Sequence, residues 1–213
     1  MTLDQLRPLS DRLLAPFVAA SVRLGLTPNF ISVLALLVAG GAAGAFYLGG
    51  SEPVWYVGAA GLVFANGWLD LLDGGIAREL GTESSAGDLL DHVFDRYADL
   101  VLLVGLAAGI NRWDLGVAAI TGVLMTSYLG TQAQAVGLDR VYGGLLGRAD
   151  RLALMGFGAL LAAVVTEPIS GLSVIGWLLV VFAVVGHLTA LQRFYYAMGD
   201  LAGNGSDPGE ERT

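Results

Sequence analysis

Residues 70–95 read DLLDGGIARELGTESSAGDLLDHVFD. The stretch carries Asp70, Asp73, Asp88, Asp91 and Asp95, yet it lies between two runs apolar enough to cross a membrane. Asp70 and Asp73 are spaced i, i+3 at the end of the first run, and Asp91 and Asp95 i, i+4 at the start of the second. On helices each pair shares one face. Two facing pairs make an oxygen-lined cage. Uncompensated carboxylates at membrane depth are costly, and the nearby bases in sequence are Arg78, Arg96 and His92. Two permanent cations are too few for Asp70, Asp73, Asp91, Asp95 and Asp99 together. A divalent metal is the expected answer, because carboxylate oxygens select hard ions such as Mg²⁺ or Mn²⁺, which keep open positions for substrate phosphates.

Working outward, the 213 residues are 55% hydrophobic and only 14% charged, with a mean hydropathy of +0.67. A chain this apolar reads as an all-α integral membrane protein rather than a soluble domain. Six apolar segments have the length a helix needs to span hydrocarbon: 29–49, 53–78, 85–110, 114–137, 148–165 and 170–198. The links GGSEP, NRWD and TEPIS are turn-like. Ahead of them, Leu6, Leu9, Leu13 and Phe17 recur at helical spacing opposite Arg7, Asp11 and Arg12, which predicts an amphipathic helix on the membrane surface within residues 1–25. One membrane domain over residues 1–200 is therefore expected, with residues 201–213, which include GNGSDPGEERT, as a disordered tail.

All eleven basic residues are arginine. Arg7, Arg12, Arg23, Arg78, Arg140, Arg148, Arg151, Arg193 and Arg212 fall on one side of the expected spans and Arg112 alone on the other. By the positive-inside rule both termini and the acidic stretch face the cytoplasm, in the plasma membrane. Gly40 and Gly44 have the spacing of a close helix contact, expected within the subunit. There is no cysteine, so thiolate metal sites and disulfides are excluded. No nucleic-acid partner is expected.

Written out, Asp70-x₂-Asp73-Gly74-x₂-Ala77-Arg78-x₈-Gly87-x₃-Asp91-x₃-Asp95 resembles the complete motif of the CDP-alcohol phosphatidyltransferases, and six spans with a surface helix resemble that family's fold. The resemblance implies a two-metal transfer of a lipid phosphoryl group from a CDP-linked lipid to an alcohol hydroxyl, releasing CMP in phospholipid biosynthesis. It implies that Asp70, Asp73, Asp91 and Asp95 hold two Mg²⁺ or Mn²⁺ ions, and that Asp95 is also the general base. Arg78 would meet the donor diphosphate, with Gly74, Ala77 and Gly87 leaving room for the nucleotide. LTPNFIS resembles a donor entry segment, which points to Asn29, Phe30, Ile31 and Ser32, and Ser84 occupies a further donor position. A homodimer is usual in such families.

SYLGTQAQAVGL, GRADR and LQRF resemble the inositol-phosphate synthases in layout, although that branch carries a lysine and an arginine where Gly130 and Gln132 stand. Arg148, Arg151 and Arg193 remain as candidate acceptor ligands. The expected acceptor is a phosphorylated polyol, inositol phosphate or glycerol 3-phosphate. The alternatives are a divalent-cation transporter and an aspartate-rich membrane prenyltransferase.

Overall fold

Thr27 and Pro28 together start the first long helix. Thr27 Oγ1 accepts a hydrogen bond from Phe30 N at 3.3 Å, and Pro28 sits in the first turn, where its missing N–H has no helical partner to lose. The computed structural model describes residues 7–138 and 146–204. Its helices are α1 (Arg7–Arg23), α2 (Pro28–Gly49), α3 (Trp55–Leu80), α4 (Ser85–Gly109), α5 (Trp113–Ala135), α6 (Arg148–Val164) and α7 (Val174–Asn204). The six expected spans thus stand as α2 to α7, each within a few residues of its sequence bounds.

The helix ends follow local chemistry. Gly81 closes α3 in the left-handed region at φ 61°, a conformation that costs glycine nothing. Ser84 then opens α4, its Oγ accepting from Gly87 N at 3.1 Å. The turn between the two acidic helix ends is therefore written in Gly81 and Ser84. At the other end, α7 runs on to Asn204, so the first residues of the expected disordered tail are helical. Residues 205–213, with Arg212, lie outside the described residues, as do Leu6 and Arg140.

α2 is the hub, packing against both α3 and α4, while α5 pairs with α7 and α6 with α3. Phe46, Leu102, Leu103, Leu106, Met155, Leu179 and Phe182 are fully buried among these helices. Leu37, Phe157, Val164, Leu191 and Tyr195 are exposed on the outside. Helices apolar on both inner and outer faces suit a bundle whose solvent is lipid. α2 and α7 are long and apolar enough to cross a membrane by composition alone.

Two sequence expectations shift in three dimensions. Gly40 and Gly44 lie on the exposed face of α2, where an added Cβ would meet nothing within 4 Å; the packed face is the neighbouring one, with Ala39, Ala42, Ala43 and Phe46. The close approach within the subunit belongs instead to Gly105 and Gly109 of α4, at the same spacing. A Cβ on Gly105 would come within 2.5 Å of Ala43 O, and one on Gly109 would strike the Phe46 carbonyl. In α1, the side facing the bundle is Leu14 and Val18, packed with Ile31, Leu72 and Ile76. Leu13 and Phe17 face outward, and the Phe17 ring meets Trp68 edge-on at 5.2 Å. α1 thus has one apolar face for the bundle and another left over, as a surface helix needs.

Gly105→Val is expected to lower stability by about 1–3 kcal/mol, the range for overpacking a tight contact, whereas Gly40→Ala, in open space within a helix, causes no loss and raises stability by up to about 1 kcal/mol. Thermal unfolding of both variants in detergent micelles checks this.

Candidate active site

Asp70 and Asp73 sit near the end of α3, and Asp91 and Asp95 near the start of α4. One carboxylate oxygen from each of Asp70, Asp91 and Asp95 can be chosen so that all three lie within 4.8 Å of one another. Asp73, the fourth expected ligand, is outside this group and is tied down separately. Its Oδ2 accepts from Ser32 Oγ at 2.7 Å and its Oδ1 from Gly74 N at 2.6 Å. Ser32 therefore acts on the acidic pair of α3, reaching it from α2.

The reckoning of nearby bases changes here. Arg148, the first residue of α6, brings its guanidinium into the cluster: Nη1 pairs with Asp70, and Nη2 lies 2.9 Å from Asp95. It is distant in sequence, so only the fold reveals it as compensation. Arg148, together with Arg96 Nη2 at 4.0 Å from Asp95, still leaves excess negative charge among Asp70, Asp73, Asp91 and Asp95 in a half-buried place. The donor set, carboxylate oxygens within a few ångströms of each other, fits a hard divalent ion.

Behind the cluster lies a second layer. Asp99 is 1% exposed and accepts from Arg151 Nη2 at 2.6 Å, with Arg96 Nη1 at 3.4 Å and Arg148 Nε at 3.9 Å. Asp99 thus holds together the arginines of α4 and α6. Arg193, the third expected acceptor ligand, comes from α7 and donates from Nη1 to Thr126 O at 2.6 Å. It lies over Gly130, where a Cβ would be 2.7 Å from Nη1. The bare backbone at 130 is the room that this arginine uses.

A cleft of about 700 Å³ opens beside the acidic cluster. It gathers most of the expected donor residues: Asn29 and Ser32 from α2, Gly74, Ala77 and Arg78 from α3, and Ser84 and Gly87 at the start of α4, together with Asp73 and Asp91. Gly74 keeps the wall low beneath Arg78, whose Nη1 would be 3.5 Å from a Cβ there. Phe30 and Ile31 are not on the cleft wall. Ile31 is 2% exposed and packs with Leu14 and Leu72, and Phe30 is 54% exposed. The helical turn that aims Asn29 and Ser32 inward necessarily aims these two elsewhere. Thr27, Thr82 and Glu83 line the cleft without having been singled out. Also missed was Asn66, buried in α3 one turn before Asp70; a polar residue in an apolar run at i−4 from an acidic ligand was the available signal.

Residues 25–189 match the family model described as CDP-alcohol phosphatidyltransferase. The archaetidylinositol phosphate synthase of Methanothermobacter thermautotrophicus is 30% identical, over 91% of this chain and 93% of that one. Among solved structures, the phosphatidylinositol phosphate synthase of Mycobacterium tuberculosis with CDP-DAG bound aligns with a TM-score of 0.73 at 26% identity, covering 87% of this chain and 94% of that chain. The same synthase in complex with manganese and citrate aligns at 0.74 and 26%, covering 87% and 88%.

Replacing Asp99 with Ala leaves Arg151 buried without its partner, and is expected to cost about 3–5 kcal/mol, as for other broken buried pairs. Adding Arg151→Met should restore most of that loss, which thermal unfolding of the single and double variants measures.

Proposed function

This chain belongs to the CDP-alcohol phosphatidyltransferase family, and from that premise we propose that it makes a phosphoinositol lipid, with inositol phosphate as the acceptor. It is a membrane enzyme that transfers the lipid phosphoryl group of a CDP-linked lipid to an alcohol, and its aspartate cluster binds a divalent metal. The transporter and prenyltransferase alternatives give way to that activity. The observation that carries the reading of the site is the meeting of three elements: the close carboxylates of Asp70, Asp91 and Asp95, the cleft with Arg78, and the arginine layer around Asp99.

In this reading Asp70, Asp73, Asp91 and Asp95 hold two ions, Mg²⁺ or Mn²⁺. When bound, they neutralise the diphosphate and the charge that develops as it is cleaved. Arg78 binds the donor diphosphate from the cleft wall, and Asn29, Ser32, Gly74, Ala77, Ser84 and Gly87 shape the nucleotide side. Ile31 serves by seating α2 against α1 and α3, and Phe30 faces outward. The acceptor hydroxyl attacks the lipid-side phosphorus, its proton passes to Asp95, and the bond to CMP breaks with CMP leaving as the phosphate anion. Arg148, Arg151 and Arg193 would grip the acceptor phosphate. The archaeal and mycobacterial relatives, inositol phosphate lipid synthases by name, support this acceptor over glycerol 3-phosphate.

The same reading takes residues 1–200 as one membrane domain, with both termini and the active site cytoplasmic in the plasma membrane, as the arginine distribution supports. The open Gly40 and Gly44 face supports a second copy of the chain packing there as a homodimer.

Purified protein given a labelled CDP-lipid, Mg²⁺ and a panel of alcohols should release CMP fastest with inositol phosphate. Arg148→Ala, Arg151→Ala and Arg193→Ala should each raise the KM for that acceptor with far less effect on the CDP-lipid. Release of CMP with free serine or inositol but not with the phosphorylated polyols would overturn the assignment.

Asp95→Asn is expected to lower kcat at least about a hundredfold, the low end for loss of acid–base catalysis, while leaving CDP-lipid affinity largely intact. Calorimetric titration of the CDP-lipid alongside CMP release separates the two effects. A variant that no longer binds donor would make Asp95 primarily a metal ligand.

A further inference from the structure

Asn66 is the most completely buried polar side chain near the acidic cluster, at 0% exposure. It lies on α3 four residues before Asp70 and seven before Asp73, so all three share one helical face. Its Nδ2 donates to Ala35 O of α2 at 2.8 Å. That bond fixes the orientation of the amide, because a carbonyl can only accept. Oδ1 is then the free end, and it is buried with no hydrogen-bond partner among the described residues. An orphaned buried carbonyl is costly, about 1–3 kcal/mol, and calls for an explanation.

The explanation lies in the space beside it. Asn66 lines a small cavity together with Asp70, Asp73, Asp91, Asp95 and Arg148, and the cavity has a volume of about 10 Å³. That is room for one water, in a polar setting that gives it partners. We propose that Asn66 is a positioning residue of the divalent-cation site: its Oδ1 accepts a hydrogen bond from a water in this cavity and so orients that water toward the ion.

The proposal rests on the metal reading of Asp70, Asp91 and Asp95. A water that gives one hydrogen to Asn66 Oδ1 and the other to a carboxylate has both its donors committed. Its lone pairs must then face the positive charge, which is the orientation a hard ion requires of a ligand water. Asn66 also ties that shell to the backbone of α2 through Ala35, as Ser32 ties Asp73. A leucine of similar size would fill the position as an apolar group and leave the water one partner short. An aspartate would keep an acceptor oxygen but lose the donor to Ala35 O.

The test is Mn²⁺ binding to the full chain in detergent micelles, followed by electron paramagnetic resonance, with bound waters counted by ¹⁷O electron–nuclear double resonance. Asn66→Leu is expected to raise the Mn²⁺ Kd about 10–100-fold, as outer-shell losses do, and to remove one water from the bound ion. Asn66→Asp should bind Mn²⁺ at least as tightly as the parent while melting at a lower temperature without metal, because the Ala35 contact is lost and a further carboxylate joins the cluster. Opposite orders in affinity and melting temperature are not expected of a purely structural asparagine. If Asp91→Asn loses Mn²⁺ but Asn66→Leu keeps the parent's affinity and water count, the Asn66 assignment falls alone. If Asn66→Asp loses Mn²⁺ along with its stability, Asn66 is structural. Unchanged binding in Asp91→Asn as well would overturn the metal reading with it.

Discussion

Mutual repulsion among Asp70, Asp91 and Asp95 is the constraint around which the rest of the structure is arranged. Their oxygens lie within 4.8 Å of one another in a half-buried site, and like charges at that separation repel more strongly there than in open water. Several polar groups nearby answer that charge. Arg148 reaches in from α6, Ser32 and Gly74 N satisfy Asp73, and Asp99 holds Arg148, Arg96 and Arg151 in a second layer. The charge that remains is what draws a divalent ion.

Holding such a cluster requires rigid helices, and rigidity here comes from small residues rather than large ones. Between apolar helices in lipid the hydrophobic effect supplies little, so packing and a few buried hydrogen bonds must serve. Gly105 and Gly109 let α4 close on Ala43 and Phe46 of α2, while Asn66 and Ser32 bind α3 to the same helix. α2 carries no member of the acidic motif. It nevertheless sets the distance between the two helices that do.

The site has two sides with different characters. The proposed donor side is an open cleft of small and polar residues with Arg78 on its wall, suited to a nucleotide that lies against backbone. The proposed acceptor side is a layer of arginines already paired with carboxylates and carbonyls. On the proposed reading, an anionic acceptor would compete for cations that the protein otherwise uses itself. Such a site favours a ligand with its own phosphate, because only a charged group offers those arginines an equal exchange.

Much of this was legible in the order of residues. The six long helices follow from the lengths of apolar runs, and the shared faces of the acidic pairs from i, i+3 and i, i+4 spacing, because helix formation and side-chain direction are local properties of the chain. Local periodicity could not say which glycines meet another helix: Gly40 and Gly44 have the same spacing as Gly105 and Gly109, but only the latter pair faces a neighbour. It could not separate Asn29 and Ser32, which reach the cleft, from Phe30 and Ile31, which do not. Nor could it bring Arg148 to Asp70 and Asp95, or set Asn66 over the cavity beneath them. Those contacts join residues separated by whole helices, and they exist only because the rotation and depth of each helix are fixed by packing against the others.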